Sequence, residues 1–310
     1  MLIEIKDLIK RYKDNFAVNG VDLCIEEGEI FGLLGPNGAG KSTTLGCLIG
    51  LIQSDSGSIR IFDKKFTGEE REIRREIGYV PQDLAFFEEL SALDNVTYWG
   101  RIHGLRGVTL KASVQEALER VGLWERRKEQ SKNYSGGMKR RLNIACAIVH
   151  HPKILLMDEP TVGVDPQSRN SILDTIRELN RNGTTVIYTS HYMEEIEAIC
   201  SKVAIMDFGK VIAIGTVDEL IATAAATTRM TLRFREVTKE LLQFLRQMPS
   251  VISCERHKEN VDLTVRQDDW TFSSLVSHFS EAGYEIIGAE IEKPSLESVF
   301  LQLTGKKLRD

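Results

Sequence analysis

The order of apolar and polar positions along the chain predicts an α/β domain. Residues 2–8 alternate between apolar and polar side chains, which is typical of a half-buried strand, and residues 18–25 predict a second strand. Residues 30–34 and 154–157 are continuous apolar runs, and such runs are typical of strands that are buried on both faces. Apolar positions with a period near 3.6 predict a mostly helical region after residue 83.

A glycine-rich loop follows the first of the buried strands. It reads Gly35-Pro36-Asn37-Gly38-Ala39-Gly40-Lys41-Ser42-Thr43, and the residues after it predict a helix. Strand, G-x-x-x-x-G-K-[ST] and helix in this order form a phosphate-binding arrangement, in which loop N–H groups and the helix N-terminus face the phosphates. We expect Lys41 to reach the β- and γ-phosphates and the Ser42 hydroxyl to bind Mg²⁺. The chain is therefore expected to bind a nucleoside triphosphate.

Two acidic residues and a histidine follow predicted strands. Residues 154–157 place Asp158 and Glu159 at the carboxyl end of a strand, where ligands bind in open α/β sheets. Such acids can simply solvate a loop, but beside a phosphate loop Asp158 can hold Mg²⁺ and Glu159 can polarise an attacking water. The strand at 184–190 ends at His191, which is either a structural residue or a phosphate contact at the same sheet edge.

Four further features are ambiguous on the residues alone. Tyr12 could stack on an adenine ring or be a surface tyrosine. Gln82 follows a short predicted strand, and the residues alone do not assign it a role. Tyr134-Ser135-Gly136-Gly137-Met138 precedes a predicted helix and suits an anion, although Ser-Gly-Gly turns are common helix entries. Phe86 and Phe87 are either core residues or an exposed docking patch.

Composition limits the possible partners. The 310 residues are enough for one large and one small domain, and the formal net charge of −5 argues against a nucleic-acid-binding surface. No apolar run approaches the length that crosses a bilayer, and the first six residues do not resemble a signal peptide. We therefore expect any membrane role to depend on a partner chain.

The order and spacing of the motifs resemble those of the ATP-binding cassette (ABC) ATPases of membrane transporters, over about residues 2–218. The motifs are, in order, the phosphate loop, Gln82, Tyr134-Ser135-Gly136-Gly137, Asp158-Glu159, Val164-Asp165 and His191. The resemblance implies a P-loop cassette with a mixed-sheet core, an antiparallel β subdomain and a helical subdomain at about residues 83–150. It also implies ATP and Mg²⁺ as cofactors.

The resemblance implies a role for each matching residue within one chain. Tyr12 corresponds to the aromatic residue that stacks on adenine. Gln82 corresponds to the glutamine that joins Mg²⁺ and signals to the membrane subunit. Glu159 corresponds to the catalytic carboxylate and His191 to the switch histidine.

The resemblance further implies a homodimer that forms through ATP. Ser135, Gly136 and Gly137 correspond to the signature that clamps the γ-phosphate held by the opposite subunit, and Asp165 to the loop that crosses the interface. Tyr134 and Met138 stand where Leu and Gln are commonest in this signature. Both flank the phosphate-binding core, so we expect activity to survive. They suggest the exporter-type branch, which resembles drug, antibiotic and sodium efflux systems.

The end of the chain predicts a separate small domain. We expect the cassette to span residues 1–222, an Ala/Thr-rich linker 223–229, and an α+β domain 230–310. The predicted βαββαβ order is compatible with a ferredoxin-like sandwich, and Ser295 is a candidate N-cap of a terminal helix. No residue there carries obvious chemistry, so a structural or dimer-stabilising role is expected.

The expected function is that of an ATPase subunit on the cytoplasmic face of the cell membrane. It would power a separate polytopic permease, docked near Phe86 and Phe87, for export. The alternative is a soluble cassette ATPase that acts on nucleic acid or ribosomes, but such proteins usually pair two cassettes or split one with a coiled coil. A regulatory nucleotide-binding module without turnover is disfavoured because Glu159 and His191 are both present.

Overall fold

The computed structural model describes residues 1–224, 227–258, 260–266, 272–291 and 295–304. The chain divides into two compact units, with the boundary between Val217 and Asp218.

The first unit alternates strands and helices. Its strands are β1 (Ile3–Tyr12), β2 (Asn15–Ile25), β3 (Ile30–Leu34), β4 (Ser56–Ile61), β5 (Lys64–Phe66), β6 (Ile77–Val80), β7 (Ile154–Asp158), β8 (Thr185–Ser190), β9 (Lys202–Asp207) and β10 (Lys210–Thr216). Its helices are α1 (Lys41–Leu48), α2 (Arg71–Arg75), α3 (Ala92–Ile102), α4 (Gly107–Arg120), α5 (Gly136–Ile148), α6 (Pro166–Arg181) and α7 (Met193–Ile199).

A six-stranded sheet forms the centre of this unit, in the order β10-β9-β3-β8-β7-β6. β9, β3, β8, β7 and β6 pair in parallel, and β10 is antiparallel to β9. Every residue of β3, β7 and β8 is buried, and the continuous apolar runs in β3 and β7 predict this burial. Because parallel strands end at one edge, the segments that follow β3, β7 and β8 lie near one another.

A second, antiparallel sheet has the order β2-β1-β4-β5. Its apolar side chains and those of the central sheet form one hydrophobic cluster, which also contains Leu45 and Leu48 of α1. Both leucines are at most 1% exposed, and fully burying such a side chain contributes about 1.5–3 kcal/mol. The helix that begins in the phosphate loop is therefore anchored in the main core of the unit.

The helical region begins later than the sequence predicts. Residues 83–91 are not helical, and α3 starts at Ala92 with Ser91 as its N-cap. Buried Asn95 holds the preceding loop, because its amide accepts a hydrogen bond from Phe87 N at 2.8 Å and donates to Phe87 O at 2.9 Å. A side chain therefore satisfies backbone groups that a helix would otherwise have paired.

The second unit has its own sheet and core. Its elements, after α8 (Val217–Ala224), are β11 (Thr227–Phe234), α9 (Lys239–Gln247), β12 (Val251–His257), β13 (Asn260–Arg266), α10 (Phe272–Glu281), β14 (Ile286–Ile291) and α11 (Leu296–Thr304). The sheet is antiparallel in the order β12-β13-β11-β14. The βαββαβ order of these elements, from β11 to β14, is the predicted one, and it is compatible with a ferredoxin-like sandwich. Ser295 Oγ accepts a hydrogen bond from Ser298 N at 3.4 Å, as expected of an N-cap.

The predicted linker at 223–229 differs from the structure. α8 extends to Ala224 and β11 begins at Thr227, while residues 225 and 226 lie outside the described residues. Alanine favours helices and threonine favours strands, so this composition suits the end of one element and the start of the next. In the part of the chain that the structure describes, no helix has both the length and the apolar character needed to cross a membrane.

Removal of residues 227–310 should leave a cassette that folds and binds ATP. The hydrophobic clusters of the two units share no residue, and the phosphate loop lies wholly in the first unit. The truncated chain should stay soluble, unfold in one cooperative transition, and bind a fluorescent ATP analogue within about threefold of the full chain, since no phosphate-facing group is lost. An insoluble truncation, or one that does not bind the analogue, would show that the first unit depends on the second.

Candidate nucleotide site

The phosphate loop, which joins β3 to α1, lines a cavity of about 480 Å³. A volume of this size lies in the range of small-molecule sites, about 300–1,000 Å³. The lining residues are Tyr12, Ala17, Asn37, Gly38, Ala39, Gly40, Lys41, Ser42, Thr43, Gln82 and Glu159. The structure thus brings together candidates from four separate parts of the sequence.

Two glycines make the path of the loop possible. Gly40 has φ of +102°, and a Cβ atom there would lie 2.3 Å from Ala17 O. A Cβ atom at Gly35 would lie 2.3 Å from Met206 O. Both contacts are with backbone, which cannot move aside, so any larger residue would displace the loop. Pro36 and the remaining loop residues are held between these two points.

Lys41 is buried and surrounded by acceptors. Its Nζ donates to Gly35 O at 2.7 Å and Pro36 O at 3.2 Å, and lies 3.1 Å from Glu159 Oε1. A buried ammonium group requires such partners because its desolvation is costly. These contacts hold the Lys41 charge at the phosphate loop, where phosphate oxygens would compete for it.

Asp158, at the end of β7, accepts two hydroxyl hydrogen bonds. Ser42 Oγ and Thr189 Oγ1 each donate to Asp158 Oδ1 at 2.9 Å. Burial raises the pKa of the Asp158 carboxyl above its usual value, against the lowering effect of these hydrogen bonds. The hydroxyl of Ser42, the carboxylate of Asp158 and the amide oxygen of Gln82 are hard oxygen donors, which is the chemistry that Mg²⁺ prefers. The residues present fit this metal.

Glu159 adopts a backbone conformation that is unusual for its residue type. Its φ is +46°, in the left-handed region that non-glycine residues rarely occupy. Thr189 Oγ1 accepts a hydrogen bond from Glu159 N at 2.9 Å, and His191 Nδ1 lies 3.2 Å from Glu159 Oε2. The carboxylate is thereby held between Lys41 on one oxygen and His191 on the other.

Thr189 was missed by the sequence reasoning, although it contacts both acids. It precedes His191 by two positions, and residues two apart on a strand point to the same face. The two-residue spacing between Thr189 and His191 was therefore the sequence feature that could have identified Thr189 as a site residue.

The Ser135-Gly136-Gly137 turn lies outside the described lining of this cavity. Ser135 caps α5, its Oγ accepting a hydrogen bond from Met138 N at 3.3 Å, and both Ser135 and Gly136 are exposed. A Cβ atom at Gly137 would lie 2.3 Å from Ser168 Oγ, so this turn packs directly on the start of α6. The helix N-terminus is exposed and does not line its own chain's phosphate-loop cavity, and an exposed helix N-terminus suits an anion.

Asp165 caps the neighbouring helix α6. Its Oδ1 accepts a hydrogen bond from Ser168 N at 2.9 Å. Hydrogen bonds from Ser168 hold the pKa of Asp165 below its usual value. The structure therefore places Asp165 beside the Ser135-Gly136-Gly137 turn and outside the lining of the phosphate cavity.

Tyr12 and Gln82 are exposed at the rim of the cavity. Tyr12 ends β1, is 49% exposed, and has Lys10 Nζ 5.5 Å from its ring centroid. The Gln82 segment is held by α5, because buried Arg140 donates to Gln82 O at 2.7 Å and Asn143 donates to Pro81 O at 3.3 Å. Arg140 and Asn143 were not predicted, since their contacts join residues about 60 positions apart.

An aromatic surface lies beside the Gln82 segment. Phe87 is 49% exposed and packs edge-on against Tyr98 at 5.1 Å, whereas Phe86 is partly buried. Tyr98 in turn contacts Trp99 at 5.7 Å. Of the two interpretations of the pair, Phe87 fits the exposed patch.

This surface borders a mostly apolar cleft of about 230 Å³, and we refer to the two together as the aromatic cleft. The cleft is lined by Ile77, Tyr79, Pro81, Ala85, Trp99, His103, Asn143, Cys146, Ala147 and His150. The rings of His103 and His150 stack there at 3.6 Å. Burial lowers the pKa of both imidazoles, that of His150 to about 3. Both histidines are therefore neutral at pH 7, and the cleft has an uncharged floor.

Comparisons with known proteins agree with this geometry. A family model described as "ABC transporter" matches residues 18–162. The linearmycin resistance ATP-binding protein LnrL of Bacillus subtilis (strain 168) is 40% identical, over 100% of both chains. The daunorubicin/doxorubicin resistance ATP-binding protein DrrA of Streptomyces peucetius is 36% identical, over 99% of this chain and 94% of its own.

A solved structure supports the same conclusion. A dimeric ATP-binding cassette in a post-hydrolysis state, bound to ADP and Pi, matches with a TM-score of 0.64 and 29% identity, over 69% of this chain and 98% of its own. Full-length similarity to ATP-binding proteins, a matching fold and a phosphate loop at the expected place confirm the resemblance. The chain belongs to the ABC transporter family, as one of its ATP-binding and ATP-hydrolysing subunits.

Proposed function

We propose that this ATPase subunit binds Mg-ATP in the phosphate-loop cavity and powers export through a separate membrane permease. The observation that carries the proposal is the convergence of Lys41, Ser42, Asp158, Glu159 and His191 at one edge of the central sheet. The direction of transport is supported by relatives of full length that are named as resistance and Nod factor export proteins. No observation favours action on nucleic acid or ribosomes.

Hydrolysis is proposed to rest on Glu159 and His191. Glu159 would orient and deprotonate the attacking water, and the His191 ring, 3.2 Å away, would hold the carboxylate and contact the γ-phosphate. Backbone N–H groups of the loop, together with Lys41, would stabilise negative charge on the phosphates. Ser42, Asp158 and Gln82 would hold Mg²⁺, which supplies further charge stabilisation when bound.

A second copy of the chain is proposed to complete each site. Ser135 and Gly136 are exposed at a helix N-terminus, outside the lining of their own chain's cavity. In a homodimer with twofold symmetry, each copy's turn would meet the γ-phosphate held by the other, which is an isologous contact. ATP would then hold two acidic subunits together, and its hydrolysis would release them.

The permease is proposed to dock in the aromatic cleft, at the cytoplasmic face of the membrane. Half-exposed aromatics beside an uncharged cleft are suited to the apolar face of a helix. The cleft is continuous with the Gln82 segment, since Pro81 lines it and Gln82 lines the phosphate cavity. A helix seated there would contact the backbone that carries Gln82.

Asp158→Asn should raise the Mg²⁺ concentration needed for half-maximal ATPase activity. The change removes a charged oxygen ligand while keeping the size of the side chain, and we expect a shift of at least about tenfold. Phosphate release at fixed ATP, titrated with Mg²⁺, measures the shift. Asp174→Asn, a surface change on α6, is the matched control and should leave the titration unchanged.

Glu159→Gln should bind ATP, hydrolyse it at least about 100-fold more slowly, and accumulate as an ATP-dependent dimer. The amide keeps the shape of the side chain but cannot accept a proton from water. Size-exclusion chromatography with Mg-ATP and a phosphate-release assay measure both effects. Lys41→Ala should instead lose ATP binding, because it removes the cation of the loop. A Glu159→Gln chain that hydrolyses ATP at the parent rate would contradict the role of Glu159.

Phe87→Ala should weaken association with the permease by about tenfold or more, as expected when an aromatic anchor is truncated. ATP binding by the purified chain should be unchanged, and co-sedimentation with membranes that contain the permease measures the loss. Phe208→Ala is the control, since Phe208 is 79% exposed but lies outside the aromatic cleft. Phe86→Ala should cost more stability than Phe87→Ala, because Phe86 is more buried. Equal membrane association of all the variants would exclude this docking site.

A further inference from the structure

Glu195 is a buried carboxylate that neither the sequence reasoning nor the proposed mechanism uses. It lies on α7 and is 2% exposed. Its Oε2 atom accepts hydrogen bonds from Thr161 Oγ1 at 2.9 Å, Tyr188 Oη at 2.8 Å and Ser190 Oγ at 2.8 Å. A carboxylate in such a position requires this many donors, because burying an ionised group without partners is very costly.

The other oxygen of Glu195 faces a positive charge. Arg169 Nε lies 3.3 Å from Glu195 Oε1, and the Arg169 guanidinium lies 4.9 Å from the ring centroid of Tyr192. Burial, together with the charge of Glu195, raises the pKa of the Tyr188 phenol well above its usual value. The phenol therefore stays protonated and donates to the carboxylate. Oε2 of Glu195 thus accepts three hydrogen bonds, and Oε1 forms an ion pair with Arg169.

The groups that contact Glu195 belong to segments that carry the candidate site residues. Thr161 follows Glu159 by two positions, and Ser190 directly precedes His191. Ser190 Oγ also accepts a hydrogen bond from Tyr192 N at 2.9 Å, so the backbone is fixed on both sides of His191.

The contact with Arg169 reaches a third segment. Arg169 lies in the first turn of α6, where its N–H donates to Asp165 O at 2.9 Å. One carboxylate on α7 therefore ties together the loop after β7, the end of β8 and the start of α6.

We infer that Glu195 is a positioning residue for ATP hydrolysis, which holds Glu159 and His191 at the distance that their proposed roles require. It lies outside the lining of the cavity, its Oε2 accepts three hydrogen bonds and its Oε1 faces Arg169, so it acts through other residues. The inference rests on the proposed roles of Glu159 and His191. It adds that their alignment depends on a buried acidic side chain that lies outside the lining of the phosphate-loop cavity.

Glu195→Gln tests the inference because it keeps the shape of the side chain and removes its charge. The amide cannot accept three hydroxyl hydrogen bonds and face Arg169 at once, so Thr161 and Ser190 should shift. We expect kcat to fall by about 10- to 100-fold, as small misplacements of reacting groups produce. The KM for ATP should stay within about twofold, because no group of the phosphate loop contacts Glu195. Glu194→Gln, the exposed neighbour on the same helix, should leave both constants unchanged.

A double-variant comparison separates positioning from a general structural role. If Glu195 acts by aligning His191 and Glu159, then adding Glu195→Gln to His191→Ala should cause little further loss of kcat. If Glu195 only stabilises the fold, the two losses should multiply, and that result would overturn the inference. A parent rate for Glu195→Gln alone would also overturn it.

Two milder variants decide the matter if Glu195→Gln does not fold. Ser190→Ala and Thr161→Val each remove one donor and leave the Arg169 contact intact. Each should lower kcat by about 3- to 10-fold with unchanged ATP binding, since part of the alignment is lost. Unchanged kcat in both would refute the inference.

Glu159→Gln in the same assay distinguishes failure of the positioning role from failure of the proposed mechanism. If Glu159→Gln is slow but Ser190→Ala and Thr161→Val have the parent kcat, only the positioning role of Glu195 is rejected. If Glu159→Gln itself has the parent kcat, the proposed mechanism is rejected.

Discussion

Two adjacent carboxylates at the end of a buried strand impose the main constraint on the first unit. Asp158 and Glu159 are each at most 6% exposed, and neighbouring charges of the same sign oppose each other's ionisation. Their charges are tolerable only because hydroxyl, ammonium and imidazole groups converge on them from the ends of β3 and β8. The parallel sheet is what brings these ends to one edge. The fold therefore determines the electrostatics of the site, because the sheet topology places the partners of both carboxylates.

Many polar groups around Asp158 and Glu159 are buried because the two acids require hydrogen-bond and ion-pair partners. Thr189 contacts both residues, because its hydroxyl donates to the Asp158 carboxylate and accepts a hydrogen bond from the backbone N–H of Glu159. Glu195 then satisfies the hydroxyls of the next layer, and Arg169 balances its charge. In such a connected network, deleting one member leaves its partners unpaired, so the effects of single changes are not independent. This connectivity makes double variants more informative than single ones.

The helix α5 links three features that the sequence shows as separate motifs. It begins at the Ser135-Gly136-Gly137 turn, and its Arg140 and Asn143 hold the backbone at Pro81 and Gln82. The guanidinium of Arg140 also lies 3.5 Å from Val162 O, in the loop that follows Glu159. Displacement of α5 would therefore move the exposed turn, the Gln82 segment and this loop together. A rigid helix with side-chain ties is a physical route between the aromatic cleft and the phosphate-loop cavity.

The features that the sequence predicts correctly are those encoded by neighbouring residues. The phosphate loop is one contiguous motif whose glycines meet backbone at fixed points, and the βαββαβ order of the second unit follows from local periodicity. The contacts of Arg140, Thr189 and Glu195 join distant segments, so residue type alone does not reveal them. Even so, Glu195 falls on the apolar face of α7, next to Ile196 and one turn before Ile199, both buried. An acid on the apolar face of a helix requires hydrogen-bond or ion-pair partners inside the protein. An acidic residue among apolar ones on a helix face can therefore indicate, from the sequence, a buried residue that supports the site.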